Sequence, residues 1–254
     1  MRIIYICYVI LIAIPLLLLA TIITALTTTF GSVVGNAKYW GYIPGKYWAK
    51  FICSILLLPV KVTGRENLDK NRSYVFVANH QGAFDIFLIY GYIHRNFRWM
   101  MKKSLRHIPL VGKACESAGH IFVDRSGPKK IKRTIAEAGE ILVHGVSLVV
   151  FPEGARTFTG HMGYFKRGAF QLASDLKLDI VPLTINGSFN VLPRTGLLPK
   201  WHRMSLTIHK PIPHQGQTPK DIKSALNEAY SIVESGLVEE YKGMVINEDQ
   251  EVFD

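Results

Sequence analysis

The chain has 254 residues, is 48% hydrophobic and carries 30 Lys and Arg against 19 Asp and Glu, for a formal net charge of +11. This length suits one domain of about 200 residues with an appendage and argues against a second full domain. The basic balance suits anionic lipid, phosphorylated ligands or an acidic protein partner and does not single out nucleic acid. Three cysteines without paired spacing argue against a disulfide framework or a zinc site.

The first predicted element is an uncharged apolar helix. No residue from Ile3 to Ala37 is charged, and the segment from Ile3 to Leu26 would extend about 36 Å as a helix, enough to cross the hydrocarbon core of a bilayer. We expect an uncleaved membrane anchor, with a cleaved signal peptide as the alternative. Pro15 falls within the segment, so a straight span and a bent, shallow insertion both stay open.

A second apolar run, Phe51 to Val60, is too short to span and is expected to lie in the membrane interface or to re-enter one leaflet. If the first run does span, the lysines between the two runs place the body of the protein in the cytoplasm, on the inner face of the plasma membrane. These lysines are Lys38, Lys46 and Lys50.

After Val62, short β-prone runs alternate with helical stretches. The predicted strands are Ser73–Asn79, Phe97–Met101, His120–Asp124, Ser147–Phe151, Ile180–Ile185 and Met204–His209. The predicted helices are Ile86–His94, Leu110–Ala118, Pro128–His144, Phe165–Leu176 and about Lys220–Tyr241. This alternation indicates a single layered α/β domain over residues 62–254, with a largely parallel or mixed sheet and binding residues at strand ends, preceded by a membrane-associated helical segment over residues 1–61.

The stretch "YVFVANHQGAFD" joins a strand to a helix through a histidine and an aspartate. His80 at a strand end can stand exposed at the sheet edge, and Asp85 can hydrogen-bond its imidazole, which makes a general base. Because "HQGAFD" contains no Ser, Cys or Thr, this base would have to activate a hydroxyl on a substrate. The alternative is that Asp85 merely caps the helix and His80 is a polar loop residue.

Two further strand ends carry arginines. Arg125 in "FVDRSGPKK" precedes a helix start, where a phosphate is the best-matched ligand; a surface arginine is the alternative. In "FPEGARTFTG", Glu153 and Arg156 follow a buried strand and a Pro-Glu-Gly turn, and they would share the edge with His80 if the strands are parallel. Lys103 and Lys166 are candidates for phosphate contacts, with solvated surface lysines as the commoner case.

Four stretches in this order resemble the motif blocks of the 1-acylglycerol-3-phosphate O-acyltransferase (lysophosphatidic acid acyltransferase) family: "NHQGAFD", "FVDRSG", "FPEGART" and "VPLTING". The similarity covers about Val62 to Pro213. It implies a fold of the glycerolipid acyltransferase type and acyl transfer from an acyl carrier protein or coenzyme A thioester to the sn-2 hydroxyl of lysophosphatidic acid, giving phosphatidic acid. No metal and no cofactor beyond the acyl donor is expected.

The resemblance also implies roles for the residues: His80 as general base, Asp85 as its orienting partner, and an acceptor site made of Arg125, Glu153, Gly154 and Arg156. Ala155 stands where the family usually has threonine, and Thr157 replaces serine, which leaves the acceptor preference open. One alternative is acyl transfer to another lysolipid, such as a lyso-ornithine lipid or a lysophospholipid. A membrane-binding module without turnover is the other.

Overall fold

The structure is a computed structural model that describes residues 2–123, 136–142 and 145–243. Its first part is one long apolar helix made of α1 (Arg2–Tyr8), a π-helical turn (Val9–Ala13) and α2 (Ile14–Val34). Pro15 cannot donate a backbone hydrogen bond and its ring crowds the preceding turn, which accounts for a widened turn directly before it. The helix therefore continues through the proline.

A short turn reverses the chain after α2. The side chain of Asn36 accepts hydrogen bonds from the backbone N–H groups of Lys38 and Tyr39 and so caps α3 (Ala37–Trp40). The next helix, α4 (Ile43–Ile55), packs against both α2 and α5. Ile52, Cys53, Leu56 and Leu58 are buried in this packing. The expectation that Phe51 to Val60 lies in the membrane interface was therefore wrong for these four side chains, because they fill the core beneath α4.

The sheet has seven strands: β1 (Val60–Thr63), β2 (Tyr74–Ala78), β3 (Phe97–Lys102), β4 (Ile121–Val123), β5 (Ser147–Val150), β6 (Asp179–Asn186) and β7 (Met204–Ile208). Their order is β1-β7-β6-β2-β5-β3-β4. All neighbours are parallel except β6 and β7, which are antiparallel. The predicted mixed α/β sheet is confirmed. β1 was not predicted, because it begins at Val60, the last residue of the apolar run.

The remaining helices are α5 (Phe84–Tyr92), α6 (Val111–Ser117), α7 (residues 136–141), α8 (Gly168–Asp175), α9 (Ser188–Val191) and α10 (Pro219–Ser235). The first part of the predicted helix Pro128–His144 lies outside the described residues, and the described part is α7. Thr218 and Asp221 form a reciprocal capping box that starts α10. This helix ends before the predicted Tyr241, which lies in a separate 3-10 turn, Glu239–Tyr241.

Helices cover both faces of the sheet, which explains why β2 is apolar along its whole length. Alternate residues of β2 point to opposite faces: Phe76 joins the core under the N-terminal helix, α4 and α5, whereas Val75 and Val77 join the core under α7, α8 and α10. The carboxyl ends of β2, β5 and β6 meet at one edge, because these strands are mutually parallel. This edge carries the candidate site.

Candidate active site

His80, in the loop that follows β2, and Asp85, in the first turn of α5, form a close pair. The Nδ1 atom of His80 lies 2.7 Å from Oδ2 of Asp85, which also accepts a hydrogen bond of 2.9 Å from the backbone N–H of Gly82. A carboxylate can only accept, so Nδ1 carries the proton and Nε2 keeps its lone pair. Asp85 does not cap α5, whose N-cap is Ala83. Its carboxylate orients the imidazole instead.

Ser188 is a third member of this arrangement, and the sequence analysis missed it. Its hydroxyl donates a short hydrogen bond to Oδ1 of Asp85, whose side chain is fully buried. Ser188 opens α9 directly after β6, where Gly187 adopts a positive φ of 85°. Gly82 leaves room for this approach, since an added Cβ would lie 2.5 Å from the Ser188 carbonyl oxygen. A polar residue following the fourth motif block at a strand end was the available signal.

Aromatic stacking holds the imidazole from the side. The His80 ring lies parallel to the Phe151 ring, with centroids 3.8 Å apart and an interplanar angle of 8°, and Phe151 in turn stacks on Trp99 at 5.5 Å. Phe151 directly follows β5 and therefore reaches the same edge as His80. The stacking restricts rotation of the imidazole and provides an apolar wall beside it.

Glu153 holds the backbone of His80 in place. Its Oε1 accepts a 2.6 Å hydrogen bond from the His80 N–H, and its Oε2 accepts one of 2.9 Å from the Gly163 N–H. The Thr157 N–H donates to the His80 carbonyl oxygen at 3.0 Å. Burial raises the pKa of the Glu153 carboxyl to about 8, although the two backbone hydrogen bonds act in the opposite direction. This turn therefore supports the residue at the centre of the site.

The turn itself needs a glycine. Gly154 has a φ of 81°, and its N–H donates to the Phe151 carbonyl oxygen at 3.0 Å. This left-handed conformation favours glycine over other residues. The sharp Pro-Glu-Gly turn that the sequence predicted is confirmed, and so is the common edge for His80, Glu153 and Arg156, since β2 and β5 are parallel.

The basic residues predicted to contact a phosphate differ in how exposed they are. Arg156 is half-buried at the edge, and Lys166 is half-buried with its backbone N–H donating to the Pro152 carbonyl oxygen at 2.9 Å. Lys103 is exposed in a 3-10 turn after β3. Arg125 lies outside the described residues. The contacts that Glu153, Gly154, Arg156, Lys103 and Lys166 make with a substrate stay predictions.

The described residues contain no group of three or more His, Cys, Asp or Glu side chains placed to hold a metal ion. Within the site, the arrangement can perform one clear chemical task. A histidine with its Nδ1–H held by a buried carboxylate can take a proton at Nε2 from a bound hydroxyl. A carbonyl compound reactive enough for direct attack by that hydroxyl would complete the reaction.

Residues 59–186 match the model of the Acyltransferase family, which is half of the chain. The chain belongs to this acyltransferase family. The chain is 33% identical over 195 residues to the 1-acyl-sn-glycerol-3-phosphate acyltransferase of Saccharomyces cerevisiae, covering 75% of this chain and 64% of that protein. It is 30% identical over 158 residues to a Chlamydomonas reinhardtii protein of the same name, covering 61% of this chain and 47% of that one. The chain thus spans about half of the latter.

The chain also resembles a solved structure. The crystal structure of the 1-acyl-sn-glycerophosphate (LPA) acyltransferase from Thermotoga maritima superposes with a TM-score of 0.72 at 25% identity, covering 91% of this chain and 97% of that chain. The likeness extends over nearly the full length of both chains. The predicted fold class is confirmed.

Proposed function

We propose that this protein transfers a fatty acyl group from an acyl thioester to the sn-2 hydroxyl of lysophosphatidic acid, making phosphatidic acid. The observation that carries the proposal is the His80–Asp85 pair, with Asp85 buried and bound by Gly82 and Ser188. The names of the yeast and Thermotoga maritima relatives support the same reaction class. The proposed donor is acyl-coenzyme A or acyl carrier protein, with no further cofactor.

The proposed reaction needs no covalent intermediate on the protein. Nε2 of His80 removes the proton as the acceptor hydroxyl oxygen attacks the thioester carbonyl carbon, and Asp85 stabilises the imidazolium that forms. The C–S bond then breaks, and the imidazolium returns its proton to the leaving thiolate. General-base assistance of this kind contributes about 10²–10⁴ in rate. Holding both substrates in the correct relative orientation provides a further large share of the rate enhancement.

The proposed acceptor contact is ionic. Arg156 stands at the sheet edge that carries His80, and Lys103 follows the neighbouring strand β3. A guanidinium can bind a phosphate through two parallel hydrogen bonds, which sets the orientation of the glycerol as well as the affinity. We propose that Arg156, Lys103, Lys166 and Arg125 bind the phosphate of the acceptor, with Glu153 and Gly154 shaping that side of the site.

The apolar helix Ile3–Val34 is long and apolar enough to cross a membrane. Its most apolar stretch of 18 residues has a mean hydropathy of 2.9, and 11% of that stretch is buried within the protein. Three hydrogen bonds tie the first two thirds of this helix to α4 and to Leu56 directly after α4: Tyr5 Oη to the Leu56 carbonyl oxygen, Tyr8 Oη to the Ile55 carbonyl oxygen, and Trp48 Nε1 to Thr21 Oγ1. A helix held this way lies alongside the domain. We propose that it enters the cytoplasmic leaflet without crossing the bilayer.

An acylation assay on the purified full chain in phospholipid vesicles tests the function. Lysophosphatidic acid, lysophosphatidylcholine and a lyso-ornithine lipid are offered separately against acyl-coenzyme A and acyl carrier protein thioesters. We expect phosphatidic acid from the first acceptor and little product from the others, because they lack the phosphomonoester that the cations bind.

His80→Ala should lower the rate by about 10²–10⁴, since the general base is lost. His107→Ala is the matched control, because His107 is exposed in the turn Lys103–His107. Near-normal turnover in His80→Ala would contradict the proposed mechanism. Faster transfer to a lysolipid without the phosphomonoester would show that lysophosphatidic acid is not the preferred acceptor. Lipid binding without any product would show that the protein is a binding module.

A further inference from the structure

The connection between α9 and β7, residues 192–203, exposes apolar side chains to solvent. Leu197 at its tip is 95% exposed and Trp201 is 51% exposed. Leu192 and Leu198, in contrast, pack against the core of the domain. The backbone N–H of Lys200 donates to the Val191 carbonyl oxygen at 2.8 Å, which closes the base of the connection. We call residues 192–203 the edge loop. Leu192 and Leu198 anchor it to the core, and Leu197 and Trp201 project outward.

The edge loop is basic. Its sequence, LPRTGLLPKWHR, contains no Asp or Glu. Arg194, Lys200 and Arg203 are exposed in it, and His202 stands between Trp201 and Arg203. Exposed leucine and tryptophan beside arginine and lysine match the composition of a surface that dips into the headgroup layer of an anionic bilayer, where apolar side chains enter the acyl boundary and cations meet lipid phosphates.

The position of the edge loop also suits a contact with the membrane. It follows β6, so it leaves the sheet at the edge that carries His80, and the backbone N–H of Ala83 donates to the Leu192 carbonyl oxygen at 3.1 Å. Leu192 and Leu198 pack in the same core cluster as Tyr5, Tyr8 and Leu17 of the apolar helix. The loop and the apolar helix therefore cover one face of the sheet.

A direct contact connects the edge loop with the proposed acceptor side. The Arg194 guanidinium stacks over the Phe158 ring at 4.2 Å, and its Nη1 donates to the Arg156 carbonyl oxygen at 3.3 Å. Since Arg156 belongs to the turn that supports His80, the loop and this turn are held together. A membrane seated on the loop would lie next to Arg156.

We propose that the edge loop is a second membrane contact, which docks on anionic phospholipid and brings the Arg156 side of the site to the headgroup layer. The proposal rests on the proposed function, because it gives the lipid acceptor a short path from the bilayer to the site. Positive charge alone would suit either an anionic bilayer or an acidic carrier protein. The exposed Leu197 and Trp201, together with the core cluster that the loop shares with the apolar helix, favour the bilayer. The carrier is the competing occupant in the test.

The test reads the depth of Leu197 in the full chain. An environment-sensitive fluorophore is attached at Leu197→Cys, and in a second protein at Ser224→Cys, which is exposed on α10 across the sheet. Both carry Cys7→Ala and Cys115→Ala, since these are the two cysteines that are not fully buried. The proteins are placed in phosphatidylcholine vesicles and in equimolar phosphatidylcholine/phosphatidylglycerol vesicles that contain a lipid-borne quencher.

We expect strong quenching at position 197, stronger with phosphatidylglycerol, and weak quenching at position 224. Lys200→Gln together with Arg203→Gln should lower the apparent affinity of the loop for the anionic vesicles about fivefold per cation removed. Lys220→Gln together with Lys223→Gln is the matched control on α10. Equal quenching at 197 and 224, or quenching indifferent to phosphatidylglycerol, would overturn the proposal. A fluorescence change at 197 caused by acyl carrier protein in place of anionic lipid would also overturn it.

A kinetic arm separates this inference from the proposed function. Leu197→Ser together with Trp201→Ser should raise KM for lysophosphatidic acid presented in anionic vesicles and leave the rate with a short-chain, water-soluble acceptor unchanged; Val238→Ser, another exposed apolar residue, is the control. Unchanged KM in vesicles would count against the loop contact. If the unmodified protein acylates neither acceptor, the proposed function fails, and the quenching experiment still decides where the loop lies.

Discussion

The proposed proton-transfer centre, His80 and Asp85, and the basic residues proposed to bind the phosphate are built in opposite ways. Asp85 is fully buried and bound by three groups, and His80 is held at its ring, its N–H and its carbonyl oxygen. Arg156 and Lys166 are half-buried side chains on turns, and Lys103 is exposed. Proton transfer requires tight placement, because a shift of about 1 Å can cost about 10² in rate. Long flexible cations can adjust to a mobile lipid headgroup.

Asp85→Asn tests the proton-transfer side of this comparison and should lower the activity most. The amide keeps the shape, but its NH₂ group can donate to Nδ1 of His80 and favour the wrong tautomer, so we expect kcat to fall by about 10³–10⁴ with a small change in KM. Steady-state kinetics measures this. Asp175→Asn, on α8, is the control. A change confined to KM would show that Asp85 contributes to binding and not to the orientation of the base.

Arg156→Ala tests the other side of the comparison. Loss of charged hydrogen bonds to a phosphate costs about 1.5–3 kcal/mol, so kcat/KM should fall about 10- to 100-fold, mostly through KM. Arg167→Ala, which removes an exposed arginine bonded to Gln171, is the control. A loss of kcat at unchanged KM would place Arg156 in the transition state and would weaken the division between the two regions.

Ser188→Ala should have a smaller effect on the proton-transfer centre. Removing one hydrogen bond to the buried carboxylate costs about 1.5 kcal/mol, which is about tenfold in kcat, while KM stays unchanged. Ser188→Thr keeps the hydroxyl and should recover most of the rate. A rate in the threonine variant as low as in the alanine variant would mean that the packing near Gly82, and not the hydroxyl, is what matters.

The smallest effect concerns stability and its dependence on pH. The pKa of Glu153 is about 8 in the folded protein, above its ordinary value of 4.5. The folded state therefore holds the proton more tightly between these values, and its stability falls as the pH rises from about 5 to about 8. Glu153→Gln, which does not titrate, should flatten this part of the curve of melting temperature against pH.

Glu228→Gln, at an exposed position on α10, is the control for that measurement. It should leave the slope between pH 5 and pH 8 as it is in the unmodified protein, within about one degree in melting temperature. A slope that persists in Glu153→Gln would assign the titration to another buried group. The site would then keep its geometry without a proton on Glu153.

Most of the sheet could be predicted from local pattern. The six predicted strands correspond to β2 to β7, since short β-branched runs between turns indicate strands without knowledge of their partners. β1 could not be found this way, because its residues adjoin an apolar helix and its partner β7 lies far along the chain. The burial of Ile52 and Leu56 was missed for a related reason, since an apolar run has the same composition beneath a helix as in a membrane interface.

In the candidate site, too, the sequence predicted some contacts and missed others. The spacing of His80 and Asp85 allowed their pairing, and the family resemblance favoured that pairing over a helix cap. The Pro-Glu-Gly turn indicated a shared edge with Arg156 on the condition that the strands are parallel, which they are. The hydrogen bond from Ser188 to Asp85 and the stacking on Phe151 join residues distant in sequence. Glu153 was expected at the acceptor, and the structure shows both of its oxygens accepting from backbone N–H groups. Its contact with the acceptor stays a prediction.

By itself, the sequence determined the apolar helix, the alternation of strands and helices, and the motif in which a histidine and an aspartate are separated by four residues, because these depend on neighbours within one element. Only the tertiary structure decided what surrounds them. The order of the strands brings the ends of β2, β5 and β6 together, so that Ser188, Phe151 and Glu153 converge on His80 and Asp85. Such contacts depend on which strands become neighbours, and no local pattern encodes that choice.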